Sequence, residues 1–296
     1  MALRPIDNEL PSTPERPKKQ VKMAAPIKKQ LDPALYDENK PPAPEIADVV
    51  IDYVASENLK PIEDADSKIQ SLVEGLDSKD WIKLCEALNN SRRLALHHSA
   101  LLAPSLEKVM LVLVKAMKNP RSALIKTSIM ASCDIFNAFG NNLLESTTSE
   151  AFDQLLLQLL LKASQDKKFV CEEADRALSS MVGSFPPLPL LRKLGAYVSH
   201  KNLRIRAKAA VSISNCVSKM GFDGMKDYGL VILVQMAVDL LNDRLPEARE
   251  AARSVLVSAY NAFTENEDEK QEAWQSFCQD NLPPIHVQSV VKFTST

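Results

Sequence analysis

Cysteine, histidine and carboxylate are the residue types in this chain of 296 residues that could ligate a metal or act as nucleophile, acid or base. Cys85, Cys133, Cys171 and Cys216 recur at intervals of 48, 38 and 45 residues, which resembles neither metal-ligand nor redox-pair spacing. Small buried thiols, one in each unit of a repeating fold, account for them better. The histidines are His97, His98, His200 and His286, with no HExxH. His97 and His98 would project about 100° apart on a helix, so they could not readily share a metal. Carboxylate pairs such as Glu172 with Glu173, or Glu265 with Glu267, read as charge on a solvated face. Glycine is scarce, and neither GxGxxG nor GxxxxGK nor GxSxG occurs, so the common phosphate cradle and the serine-nucleophile turn are missing. The sequence thus implies no catalytic residue, no metal and no cofactor, and the chain is read as a non-enzyme.

Composition points to helices. Apolar residues make up 45% of the chain and aromatics 5%, with only seven glycines, none of them before Gly75. That suits neither a turn-dense β-sandwich nor an α/β enzyme, and an all-α protein is expected. Thirty-six Lys and Arg balance 38 Asp and Glu, so no whole-chain field points to nucleic acid or an anionic membrane. The most apolar stretch, residues 229–241, is short and interrupted by Gln235 and Asp239, and it reads as a buried helix. The first residues lack a signal-peptide core and the cysteines show no disulfide framework, so a reducing setting is expected.

Charge and proline are unevenly spread. Residues 1–30 carry seven basic groups against three acids, and ten of the eighteen prolines fall within the first 61 residues. Residues 1–44 are therefore expected to be a disordered basic arm. Ile46, Val49, Val50, Tyr53 and Val54 follow a helical stripe, so 45–62 reads as a flanking amphipathic helix and linker.

From about Asp66, apolar helical segments alternate with polar breaks. Five breaks are tight: 77–81, 118–122, 165–169, 200–204 and 242–246. Asp80, Asn119, Asp166, Asn202 and Asp243 sit at them as expected helix caps, 39, 47, 36 and 41 residues apart. That is close to the period of HEAT helix pairs, and it predicts an α-solenoid of about five repeats over 63–265. Looser breaks near 97–104, 140–149, 183–189 and 221–227 are expected to join one pair to the next, and 266–296 reads as a C-terminal helix and tail.

The tight loops line up along one edge, which carries Trp81, Lys118, Arg121, Lys167, Lys168, Lys201, Arg204 and Arg244. Trp81 has two readings. An exposed tryptophan among charges is a typical interface anchor, yet Trp81, Leu84, Cys85 and Leu88 also follow core spacing.

The run Asp80-Trp81-Ile-Lys-Leu-Cys-Glu-Ala-Leu88 resembles the first-repeat signature of TOG domains, especially those of the CLASP and crescerin type. Arg121-Ser-Ala-Leu-Ile-Lys126 is similar to their second-repeat loop, and Asp243-Arg-Leu-Pro-Glu-Ala-Arg249 to their last repeat. Leu84 departs from the pattern, standing where the family often has arginine. The resemblance implies binding to αβ-tubulin or microtubules, in the cytoplasm on the cytoskeleton, and regulation of microtubule dynamics or organisation. It implies Trp81 as the anchor, Arg121 and Ser122 as second-loop contacts, and Lys168, Arg204 and Arg244 on the later loops. For Lys126, Arg206 and Arg249, deeper in the helices, pairing within the chain is at least as reasonable. A generic HEAT scaffold that does not bind tubulin is the rival reading. Thr13, in Thr13-Pro14-Glu15-Arg16, fits a proline-directed kinase site whose phosphate would weaken the basic arm's attraction to an acidic lattice. The sequence leaves the oligomeric state open.

Overall fold

The computed structural model describes residues 53–146 and 148–294. The expected basic arm over 1–44, with Thr13, lies outside the described residues, as does most of the stripe beginning at Ile46. Tyr53 and Val54, the end of that stripe, belong to no helix, and a single 3-10 turn follows at Ser56–Asn58.

Fourteen α-helices follow among the described residues, with no strand. They are α1 (Ala65–Leu76), α2 (Trp81–His97), α3 (Ser99–Leu102), α4 (Leu106–Met117), α5 (Ser122–Ser146), α6 (Ser149–Ala163) and α7 (Lys168–Ser184). Then come α8 (Pro187–Gly195), α9 (Leu203–Val217), α10 (Phe222–Tyr228), α11 (Leu230–Leu241), α12 (Pro246–Phe263), α13 (Lys270–Asn281) and α14 (Pro284–Thr294). Five antiparallel hairpins account for most of them: α1–α2, α4–α5, α6–α7, α8–α9 and α11–α12. This is the expected solenoid of five repeats. The second helices stack extensively, α2 on α5, α5 on α7 and α9 on α12, whereas α7 and α9 touch lightly and α9 also leans on α6.

Amphipathic spacing explains the packing. In α4, Leu106, Val109, Met110, Leu113, Val114 and Met117 are all buried, leaving Leu111 and the charged residues on the outer face. Where second helices press against neighbours on both sides, small residues allow the approach. Ser91, Ser128 and Ser132 are buried and donate their hydroxyls to carbonyls of their own helices at 3.0, 2.7 and 2.9 Å, so none of these three hydroxyls is stranded.

Three of the looser breaks differ from expectation, and 97–104 is largely the short helix α3 with a 3-10 turn at Ala103–Ser105. Helix α5 continues through Gly140 to Ser146, because this glycine marks a close helix approach rather than a helix end. A Cβ at Gly140 would lie 2.2 Å from the carbonyl oxygen of Ser184 at the end of α7. The stretch at 221–227 is largely the short helix α10, closed by Gly229 at φ +106°, a left-handed conformation that favours glycine. After α12, α13 and α14 fold back on the last repeat: Trp274 is fully buried among Tyr260, Phe263 and Phe277, and Val290 of α14 is buried too. Each of Cys85, Cys133, Cys171 and Cys216 falls in the second helix of its hairpin, as the repeat register implies.

A buried ion pair ties the first two repeats to the segment before them. Arg92 of α2 and Asp134 of α5 are each 1% exposed and meet at 2.6 Å. Ser56 Oγ donates to the second Asp134 oxygen at 2.6 Å, and Arg92 also reaches Ser56 Oγ at 3.3 Å and Asn89 Oδ1 at 3.2 Å. Nearby, His97 Nε2–H donates to the Leu59 carbonyl at 2.8 Å, so residues 56–59 lie as a strap fixed at both ends. Removing one partner leaves the other charge buried and unpaired. Arg92→Met should therefore cost about 3–5 kcal/mol in urea unfolding, while pairing it with Asp134→Leu should restore most of that loss. Gly140→Ala should cost about 1–3 kcal/mol in the same assay, because the α5–α7 seam has no room for the methyl group.

Candidate interaction surface

The tight loops use a common local device in all but the third. In four of them an Asp or Asn side chain accepts the backbone N–H two residues on: Asp80 from Ile82 at 2.9 Å, Asn119 from Arg121 at 3.0 Å, Asn202 from Arg204 at 2.9 Å and Asp243 from Leu245 at 2.8 Å. Such a turn fixes the chain's entry into the following helix. Asp80 and Asn202 are the N-cap residues of α2 and α9, whereas Asn119 and Asp243 act just ahead of α5 and α12. The expected cap at Asp166 is corrected. Helix α7 starts after Lys167 with no side-chain cap, and Asp166 instead accepts from Arg204 Nη1 of the next loop at 2.5 Å.

Arginines link neighbouring loops. The Arg121 guanidinium carbon lies 5.4 Å from the Trp81 ring centroid, joining the first loop to the second in a cation–π contact. Arg204 joins the fourth to the third, through Asp166 and through the Ser164 carbonyl at 3.2 Å. Arg206 Nε donates to the buried Asp243, joining the fourth to the fifth, and its Nη1 donates to the His200 carbonyl at 3.1 Å. Arg249 closes the fifth loop onto the carbonyls of Asp243 and Arg244 at 2.7 and 3.1 Å. Lys126 lies over the Tyr53 ring at 4.4 Å. Arg206, Arg249 and Lys126 are thus engaged within the chain.

The residues implied as contacts occupy one edge at four kinds of exposure. Trp81 is half-buried: the ring packs on the core, with Leu84, Cys85 and Leu88 buried behind it, and it keeps accessible surface beside Arg121. Arg121 is exposed and Ser122 half-buried. Lys168 is almost fully free, its side chain 87% exposed and 3.7 Å from Glu172. Arg204 keeps more than half of its side chain accessible while bridging to Asp166, and Arg244 is exposed. Phe169 was not singled out by spacing. It is 43% exposed at the start of α7, and its place one residue after a lysine in a tight loop was the signal available.

Beside this edge a groove of about 600 Å³ opens where α7 and α9 diverge, bordered by Lys168, Glu172, Asp175, Arg204, Lys208 and Val211. Lys208 crosses it to Asp175 at 2.7 Å. Cys171 also borders the groove, but burial first and the Asp175 carboxylate second push its thiol pKa up. Burial raises Cys216 to about 12 and Cys278 to about 11. These thiols stay protonated at neutral pH, the wrong form for a nucleophile or ligand. Among the described residues no group of three or more His, Cys, Asp or Glu is placed to hold a metal ion, and no helix is long and apolar enough to cross a membrane.

The family model for the CLASP N terminal matches residues 91–276, from within α2 to within α13. The chain belongs to the CLASP N-terminal family. TOG array regulator of axonemal microtubules protein 1 of Mus musculus is 28% identical over 219 residues, covering 72% of this chain and 12% of that protein. The chain thus spans about an eighth of that relative's length. Among solved structures, the TOG domain of C. elegans Zyg9 superposes with a TM-score of 0.56 at 17% identity, covering 82% of this chain and 91% of that one. A structure from work on TOG–tubulin binding specificity, microtubule dynamics and mitotic spindle formation gives 0.54 at 15% identity, covering 78% and 86%. At these identities the likeness is one of fold, and the fold is that of TOG domains. Trp81 and its loop precede the matched family region by about ten residues.

The two tryptophans report separately on the edge and on the C-terminal cap. A Trp274→Phe chain should retain emission that acrylamide quenches readily, and adding Arg121→Ala should increase the quenching. A Trp81→Phe chain should emit from Trp274 alone and resist acrylamide.

Proposed function

We propose that this chain binds αβ-tubulin, free or within microtubules, through its edge of tight loops, and that it thereby regulates microtubule dynamics or organisation without catalysing a reaction. The observation that carries the reading is the arrangement of one edge of a CLASP-family TOG fold. A half-exposed Trp81 under Arg121 stands at one end, and the exposed cations Lys168, Arg204 and Arg244 follow along it.

The apolar anchor contributes affinity by losing water on docking, while the row of cations steers an acidic partner and fixes its orientation. Local charge governs that encounter, so the chain's formal net charge of −2 does not oppose it. The name of the mouse relative, a regulator of axonemal microtubules, supports the same setting, and a place on the cytoskeleton follows from it. Trp81, Arg121, Ser122, Lys168, Arg204 and Arg244 are the proposed contacts. Arg121 and Arg204 serve two ends, since each also braces a neighbouring loop.

The test is size-exclusion co-elution of the full chain with unpolymerised αβ-tubulin. Wild type is expected to shift into the complex, and Trp81→Glu, or Arg121→Ala combined with Lys168→Ala, is expected to lose the shift while keeping its circular dichroism. Raising salt should weaken wild-type binding. If the folded wild type binds neither free tubulin nor microtubules, the generic scaffold is the correct reading.

A further inference from the structure

We infer that Phe169 forms a second apolar contact with tubulin, midway along the edge of loops. The inference rests on the tubulin-binding reading and adds to it a residue that the family resemblance did not supply.

Phe169 is the second residue of α7 and stands 43% exposed in the third tight loop. Several other large apolar side chains are left open to water among the described residues, Ile232 and Ile285 more so than Phe169, but none of them lies in one of the five tight loops. Helix α7 does not depend on Phe169 for its seat, since Val170, Ala174, Ala177, Leu178 and Met181 already fill the buried face. No ring or cation–π contact involves Phe169 among the described residues.

Helical spacing sets its direction. Lys168, Glu172 and Asp175 border the groove toward α9. Phe169 lies about 100° round the helix from them, on the stripe of Glu173 and Arg176, which border α5 beside Met130 and Cys133. Phe169 therefore lies on the flank of α7 turned toward α5 and the second repeat, and it is not among the residues that border the groove.

The surroundings suit an anchor for an acidic partner. Lys167 and Lys168 precede Phe169 in sequence and are exposed, and the one acid of the loop, Asp166, is paired with Arg204. An aromatic ring beside exposed cations combines desolvation on docking with attraction to an acidic partner. Two apolar contacts two repeats apart also define an axis along the edge, which one anchor cannot do.

The test titrates the full chain against unpolymerised αβ-tubulin at low and at physiological salt, with thermal melts run in parallel. Phe169→Ala is expected to weaken binding roughly tenfold at both salt concentrations, with the melting temperature unchanged, and Phe169→Leu to stay within about threefold of wild type. Phe169→Lys separates an apolar contact from an electrostatic one: the inference requires weaker binding, whereas a ridge working by charge alone would bind more tightly. Wild-type affinity in Phe169→Ala, or a gain in Phe169→Lys, while Trp81→Glu still abolishes binding, overturns the Phe169 contact and leaves the tubulin reading intact. A folded wild type that fails to bind tubulin overturns both.

Discussion

A helical hairpin has more apolar surface than it can bury alone, and the architecture follows from that constraint. Each second helix must be covered on both sides, so α2 packs on α5 and α5 on α7. The stacking dictates composition in return. Alanine, serine and Gly140 occupy the places where two helices press on one, and the larger side chains fill the space between the two layers. The ends of the stack have no further repeat to cover them, and they are closed by other means. A strap held by the buried Arg92–Asp134 pair lies over the first repeats, and the aromatic cluster around Trp274 closes the last.

Because the repeats stack in register, their tight loops fall on one edge, and residues far apart in the chain become neighbours. The turn residues serve the helix starts, while the arginines serve the spacing between loops. Arg121 against Trp81, Arg204 against Asp166 and Arg206 against Asp243 each link consecutive loops. Loops one and two, and loops four and five, are thus held in place before docking, which lowers the ordering cost of meeting a rigid partner.

Much of this was legible in the sequence because it is periodic. The five breaks, the spacing of Asp80, Asn119, Asn202 and Asp243, and one cysteine per repeat all depend on local chemistry recurring at a fixed interval. What escaped depends on partners distant in sequence. Nothing beside Asp134 marks it as the mate of Arg92, 42 residues earlier, and Asp166 looked like its four counterparts until Arg204 drew it away. Gly140 reads as an ordinary break, because a glycine required by a neighbouring helix looks the same in sequence as one that ends its own. Trp81 stayed undecided for a similar reason: spacing reports which face of a helix a residue is on, but not how far the neighbouring loop covers it.

The light contact between α7 and α9 bears on the mechanics of the whole stack. Elsewhere consecutive second helices share broad buried surfaces, but here the groove intervenes, and Lys208–Asp175 and Arg204–Asp166 cross it with solvent-accessible side chains. Bending stiffness in a solenoid comes from packed area, and exposed ion pairs add little of it. The molecule therefore resembles two stiff segments, repeats one to three and repeats four to five, joined at a softer seam.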